Sequence, residues 1–174
     1  MFLIESNDEF LINNLIHLSI QKKINLIFKP NSYYFSKIFI HSNKKNIEII
    51  YNDKNYKISK PFKYDKIFSC IINNLSVFYF EFHRSYYYPV KQIFIFEKKS
   101  VRLGKIHHEI LSNLLLRYKD GINKFDLYQI IWPEDKDMSI NKLETHITNL
   151  KNLLHSKVGF SFDIPSNSGQ LRII

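Results

Sequence analysis

From Lys105 to the end of the chain, apolar residues recur at intervals of three and four in three successive stretches, and the pattern then gives way to two short β-rich runs. The first stretch carries Ile106, Ile110, Leu111, Leu114, Leu115 and Tyr118, and Gly121 stands where a helix stop is needed. The second runs from Lys124 to Trp132, with Asn123 placed to cap it and Pro133 to end it. The third runs from Ile140 to His155 behind Ser139, another candidate cap, with Leu143, Ile147, Leu150 and Leu154 on one stripe. Phe160–Ile164 and Leu171–Ile173 read as strands around a turn from Pro165 to Gly169. Three helices closed by a hairpin is the strongest constraint on what this chain can become.

The rest of the chain reads as two further blocks. Phe2-Leu3-Ile4 opens with a strand, a helical pattern runs through Phe10, Leu11, Asn14, Leu15 and Leu18, and a second strand is expected at Ile24–Phe28, closed by Lys29-Pro30. Three short β-rich runs follow at Lys37–Ile40, Ile47–Tyr51 and Tyr56–Ser59, and helical spacing returns from Lys63 to Leu75. Between Val77 and Leu103 aromatic and polar residues alternate, which predicts an antiparallel sheet with a turn at Glu97-Lys98-Lys99. Within it, His83, Arg84 and Ser85 read as a linker and Tyr86-Tyr87-Tyr88 as sheet surface. The expectation is an α+β chain of two domains, residues 1–82 and 83–174.

Composition removes several functions. Four glycines in 174 residues assemble neither a phosphate-cradling loop nor a dinucleotide fingerprint. The single cysteine, Cys70, excludes an internal disulfide framework and a cysteine-based zinc cluster; its apolar run predicts a small buried hydrophobe. No apolar stretch has the ~20 residues that span a bilayer, and acidic Glu5, Asp8 and Glu9 stand where a signal peptide is basic, so a cytoplasmic protein is expected. His107-His108-Glu109 invites a metal, but neighbours on a helix point about 100° apart, so helix surface is expected there. No nucleophile, base or metal constellation is present, and no enzyme activity or cofactor is expected. The net charge of +9 favours acidic partners, nucleic acid ahead of anionic membrane, though AT-rich codon usage also raises lysine.

The third helix turns Asn141, Lys142, Thr145, Thr148, Asn149 and Asn152 away from its apolar stripe. Amides, hydroxyls and a few cations on one helix face suit the major groove of DNA, and three helices followed by a hairpin is the outline of a winged helix. Ser139 to Lys151, with Glu144-Thr145-His146-Ile147 and Leu150-Lys151 in order, resembles the recognition helix of OmpR/PhoB-type response regulators. Gly121–Trp132 is similar to that family's second helix, and Leu103–Leu115 to its first helix and lead-in strand. Phe2–Asp8 resembles the first strand of its receiver domain, and Lys60-Pro61-Phe62 the segment after the fifth.

The resemblance implies a shortened receiver without its chemistry. Ser6 and Asn7 stand in most of the acidic pair that would hold magnesium, and Ile38-Phe39-Ile40-His41 ends without the nucleophilic aspartate. Asp8 and Asp53 read as surface or turn residues, and Lys60 as a relic with no phosphoryl group to neutralise. The segment between the third strand and Lys60 is too short for two βα units. In the winged helix, Thr148 and Asn149 stand where arginines are common, and Ser166 and Asn167 where the wing commonly has Arg-Gly. Lys142 and Lys151 are expected on DNA phosphates. His146 reads equally as a phosphate or base contact and as a packing residue. Arg172 reaches the minor groove or pairs with Asp163, and Trp132 is expected in the core.

The implied function is a sequence-specific transcription regulator that binds double-stranded DNA as a homodimer through its N-terminal domain and is not switched by aspartyl phosphate. The alternative is an adaptor whose winged helix binds another regulator or RNA polymerase without DNA.

Overall fold

In the computed structural model, which describes residues 2–22, 24, 26–28 and 33–174, the apolar start of the chain forms β1 (Phe2–Ser6), buried at Phe2, Leu3 and Ile4. Asp8 then caps α1 (Glu9–Gln21), its Oδ1 accepting the Leu11 amide at 3.0 Å. β2 (Leu26–Ile27), β3 (Lys37–Ser42), β4 (Asn46–Tyr51), β5 (Lys54–Ser59) and α2 (Tyr64–Leu75) follow. Lys29 and Pro30, expected to close the second strand, lie outside the described residues.

The strands form one sheet in the order β2-β1-β3-β4-β5. β1 pairs parallel with β2 and β3, whereas β4 and β5 run antiparallel. The short segment before Lys60 is thus a meander in place of βα units. Asn52 and Asp53, at φ +46° and +60°, make the tight β4–β5 turn, a backbone region asparagine and aspartate tolerate. Strict alternation buries Ile38, Ile40, Ile47, Ile49 and Ile58 on one sheet face.

The helical pattern of α1 holds, and one expectation in this unit, a buried Cys70, is corrected. Phe10 shares the apolar spacing of α1 but is 70% exposed, because the buried stripe runs through Leu11, Leu15 and Ser19. Cys70 is half-buried, off the α2 stripe of Ile67, Phe68, Ile71 and Leu75.

The chain divides into two compact units, Met1–Phe78 and Tyr79–Ile174. In the second, β6 (Phe80–Phe82), β7 (Ser85–Tyr88), β8 (Ile93–Phe96) and β9 (Lys99–Arg102) form a four-stranded antiparallel meander. His83 and Arg84 are its first hairpin turn, at φ +46° and +61°, and not a linker: two polar residues spell a tether and a tight turn alike, and the positive φ pair marks the turn. Tyr87, in the run read as sheet surface, is fully buried, since alternation turns it inward between exposed Tyr86 and half-buried Tyr88.

The three helices are α3 (Lys105–Leu116), α4 (Lys124–Ile131) and α5 (Ile140–Val158), with β10 (Ile122–Asn123) between the first two. β11 (Ser166–Asn167) and β12 (Gln170–Leu171) close the chain in a three-stranded sheet ordered β10-β12-β11. The hairpin therefore starts later than expected: Ser166 and Asn167 are its first arm, and the turn is Ser168-Gly169, at φ +51° and +80°. Asn123 caps α4 through the Phe125 amide at 2.8 Å, while the Ser139 hydroxyl makes no cap bond to α5. No helix among the described residues is long and apolar enough to cross a membrane.

His108 corrects the reading of His107-His108-Glu109 as helix surface. It is 8% exposed, and its Nδ1 hydrogen-bonds the hydroxyl of Tyr87, which also meets Ser112 Oγ at 2.8 Å. A buried imidazole needs such a partner, and β7 supplies it when the sheet packs on α3. Burial holds the His108 imidazole down to about 4 and raises the Tyr87 phenol.

Gly121 ends the loop after α3 at φ +79°, with its amide on Arg117 O at 2.7 Å. A Cβ there would sit 3.0 Å from the backbone oxygen of Leu171 on β12. Gly121→Ala is expected to cost about 1–2 kcal/mol, since both the left-handed backbone and the close approach to Leu171 oppose it. An unchanged urea midpoint for this variant would contradict that account.

Candidate nucleic-acid interface

α5 is the longest helix among the described residues, 19 residues ending at Gly159 in the left-handed region. Leu143, Ile147, Leu150, Leu154 and Val158 are buried along one side, the stripe that docks it on the unit. The geometry leaves Asn141, Thr145, Thr148, Asn149 and Asn152 exposed. These side chains offer donors and acceptors without charge; Thr145 Oγ1 spends its proton on Asn141 O at 2.8 Å.

The two α5 lysines are both engaged. Lys142 Nζ lies 2.7 Å from Asp135 Oδ2 in the α4–α5 connection, and the Tyr128 hydroxyl donates to the same oxygen at 2.8 Å. The ammonium also sits 4.3 Å from the centre of the Trp132 ring, in cation–π range. The hydrogen bond from Lys142, then that from Tyr128, holds the Asp135 carboxyl below its ordinary range, and Asp135 in turn raises Lys142. Lys151 Nζ meets Asp163 Oδ1 at 2.8 Å, on the segment whose backbone pairs with Ile174.

His146 is half-buried and packs its ring 5.5 Å from that of Trp132 and 6.1 Å from that of His107. Burial, and then the neighbouring His146, lowers His107. Trp132 is only half-buried, contrary to the core expectation, because it forms the wall between His146 and Lys142. Arg172 is exposed, and its Nη2 reaches the Asp120 carbonyl at 3.5 Å; Asp163, its expected partner, is held by Lys151. Ser166 and Asn167 are exposed on the hairpin.

Sequence reasoning named the α5 face but not Tyr128, Asp135 or Asp163 as its neighbours. The only signal was their charge and type; nothing in the spacing pairs position 135 with 142 or 163 with 151.

In the first unit, the ends of β1 and β3 and the segment after β5 meet. Asn7 clamps the Ser42 backbone through Oδ1 at 2.8 Å and Nδ2 at 3.1 Å, and Lys60 Nζ donates to Ser42 Oγ at 3.1 Å. The Leu11 amide, helped by the Ser42 hydroxyl and Lys60, holds the Asp8 carboxyl below its ordinary range. Asp8 is thus a helix cap, not merely a surface residue. Among the described residues, no three His, Cys, Asp or Glu side chains gather to hold a metal ion. Lysine and arginine outnumber aspartate and glutamate 11 to 6 in residues 1–78 and 14 to 10 in residues 79–174, so the basic charge is shared by both units.

No protein-family model matches the chain, and no curated protein sequence matches it. Among solved structures it is similar to the C-terminal domain of the nisin resistance regulator NsrR, a lantibiotic response regulator. That match has 23% identity, covers 54% of this chain and 92% of that one, and has a TM-score of 0.42. It is also similar to the response regulator DrrB, a Thermotoga maritima OmpR/PhoB homologue, at 12% identity over 98% and 96% of the two chains, with a TM-score of 0.46. A third similarity is to a family of redox sensors in the streptococci evolved from two-component response regulators. Its identity is 13%, it covers 98% of this chain and 65% of that one, and its TM-score is 0.42.

Proposed function

We propose that the chain is a DNA-binding transcription regulator that lays the exposed face of α5 in the major groove and sets the β11–β12 hairpin beside it. The observation that carries this reading is the outward row Asn141, Thr145, Thr148, Asn149 and Asn152 on a helix docked through its opposite stripe. Asparagine reads adenine through paired amide bonds and threonine contacts the thymine methyl, so an AT-rich site fits this row. Lys142, Lys151 and Arg172 on its borders supply phosphate contacts, with Ser166 and Asn167 on the hairpin and His146 beside the Trp132 wall.

The first unit, Met1–Phe78, acts as a receiver-like domain, four residues shorter than the 1–82 expected because β6 pairs with β7, and the second, Tyr79–Ile174, carries the winged helix. The receiver is not switched by aspartyl phosphate, since Ser42 ends β3 and Lys60 already donates to it. It serves instead to pair two copies of the chain. Phe39 and Ile50 support that role: they are cross-strand partners, 48% and 38% exposed, on the sheet face opposite the buried isoleucines.

A second reading, an adaptor that binds another regulator or RNA polymerase, draws on the engagement of both α5 lysines by carboxylates and on exposed Phe125 and Ile130 of α4. The two readings part on salt. Titration of labelled AT-rich promoter duplexes with wild type and Lys142→Ala/Lys151→Ala should show salt-sensitive binding, weakened about tenfold in the variant. The slope of log affinity against log salt should become shallower by about 0.9 for each phosphate the variant no longer neutralises. No retention of duplex at any salt favours the adaptor.

A further inference from the structure

The geometry points to Asp135 and Asp163 as specificity-determining residues: each occupies an α5 lysine in the free protein, so that a DNA phosphate must displace a carboxylate to reach the cation. This inference rests on the DNA-binding reading and deepens it.

The two pairs have different backing. Lys142 is held from three sides, by Asp135 at 2.7 Å, by the face of Trp132 at 4.3 Å, and by Tyr128, whose hydroxyl fixes the same carboxylate oxygen. Asp135 is itself anchored, its amide donating to Trp132 O at 3.2 Å. Asp163 is placed by two backbone bonds with Ile174, at 3.1 and 2.9 Å, which hold its side chain beside Lys151 at 2.8 Å. Both carboxylates stand on backbone outside α5, so the pairs are not made by helix periodicity.

The consequence follows from what phosphate contacts do. They add affinity to any sequence equally, because the backbone is the same everywhere, whereas the amides and hydroxyls of α5 meet base edges. A carboxylate that competes for each lysine lowers the sequence-blind part of binding and leaves the base contacts untouched. The row of neutral side chains on α5 then carries a larger share of the discrimination. With side chains 38% and 37% exposed in the Lys142–Asp135 pair and 38% and 75% in the Lys151–Asp163 pair, each pair is modest, and releasing one is worth at most about a two- to fivefold change in binding.

The test compares the full chain with Asp135→Asn, Asp163→Asn and the double variant, using a random-sequence duplex and AT-rich promoter duplexes at low and moderate salt. Asparagine keeps the shape of aspartate, and Asp137→Asn makes the same charge change in the same loop as a control. The expected result is tighter binding to the random duplex, about two- to fivefold for each single variant and about tenfold for the double, with a steeper salt dependence. Preference for promoter over random duplex should fall, and Asp137→Asn should give less than half the gain of Asp135→Asn. Binding by the double variant alone, with wild type below detection, also supports the inference. If wild type binds and the variants bind no tighter than Asp137→Asn, or more weakly, the aspartates are not competitors and the inference fails while the DNA-binding reading stands. If neither wild type nor any variant retains duplex, both fall together.

Discussion

Acidification from pH 7 to pH 4 is expected to remove about 3 kcal/mol from the stability of the C-terminal unit through His108 alone. An exposed imidazole titrates near 6.5, whereas burial holds that of His108 at about 4. Between those values the unfolded chain binds a proton that the folded chain refuses. The contribution is therefore whole above about pH 6.5, declines as pH falls through the interval, and is lost by about pH 4. Asp8 and Asp135, also lowered by folding, lose their contributions as they protonate on acidification, so the comparison has to isolate the histidine. Trp132, the one tryptophan of the chain, lies in this unit and reports its unfolding by fluorescence. Urea midpoints at a series of pH values should fall more steeply for wild type than for His108→Gln, which keeps a polar partner for Tyr87 but has no proton to take up. Parallel pH profiles for the two proteins would refute the account.

Leu150→Ala should lower the melting temperature of the same unit by roughly 10–25 °C. Leu150 is fully buried in the middle of the α5 stripe, and removing such a side chain leaves a cavity costing about 2–5 kcal/mol. A domain of nearly 100 residues shifts by about 5 °C for each kcal/mol. The loss reaches the proposed DNA face as well, because the exposed row on α5 is positioned by the stripe behind it. Asn149→Ala, on the opposite side of the helix, should leave stability within about 0.5 kcal/mol while weakening duplex binding. A Leu150→Ala protein that melts within a few degrees of wild type, by Trp132 fluorescence, would mean that the stripe is not what docks α5.

The helices of the second unit were legible because a stripe with a period of three and four leaves one local solution. Leu143, Ile147, Leu150 and Leu154 all proved buried, and α5 overran its expected end by three residues to stop at Gly159. Turn and tether were not distinguishable by composition: His83 and Arg84 differ from a linker in backbone angle, which side-chain polarity does not encode. The hairpin was displaced for a related reason. Phe160 and Phe162 alternate as strand residues do and are buried, yet the ladder forms further on, at Ser166 and Asn167, where the Ser168-Gly169 turn brings the two arms together.

Polarity misled wherever burial was decided at a distance. His108 is a polar residue between His107 and Glu109, and only the packing of β7 on α3 brings a tyrosine hydroxyl from 21 positions away to satisfy it. The candidate site divides in the same way. Its exposed row follows from helix geometry applied to the text from Asn141 to Asn152. Its electrostatics follow from Asp135 and Asp163, seven and 12 positions from their lysines, on segments whose course no local pattern specifies. Periodicity acts over neighbouring turns of backbone and so can be read along the chain. Hydrogen bonds and ion pairs act over about 3–4 Å of space, and which groups come that close is settled only when the elements pack.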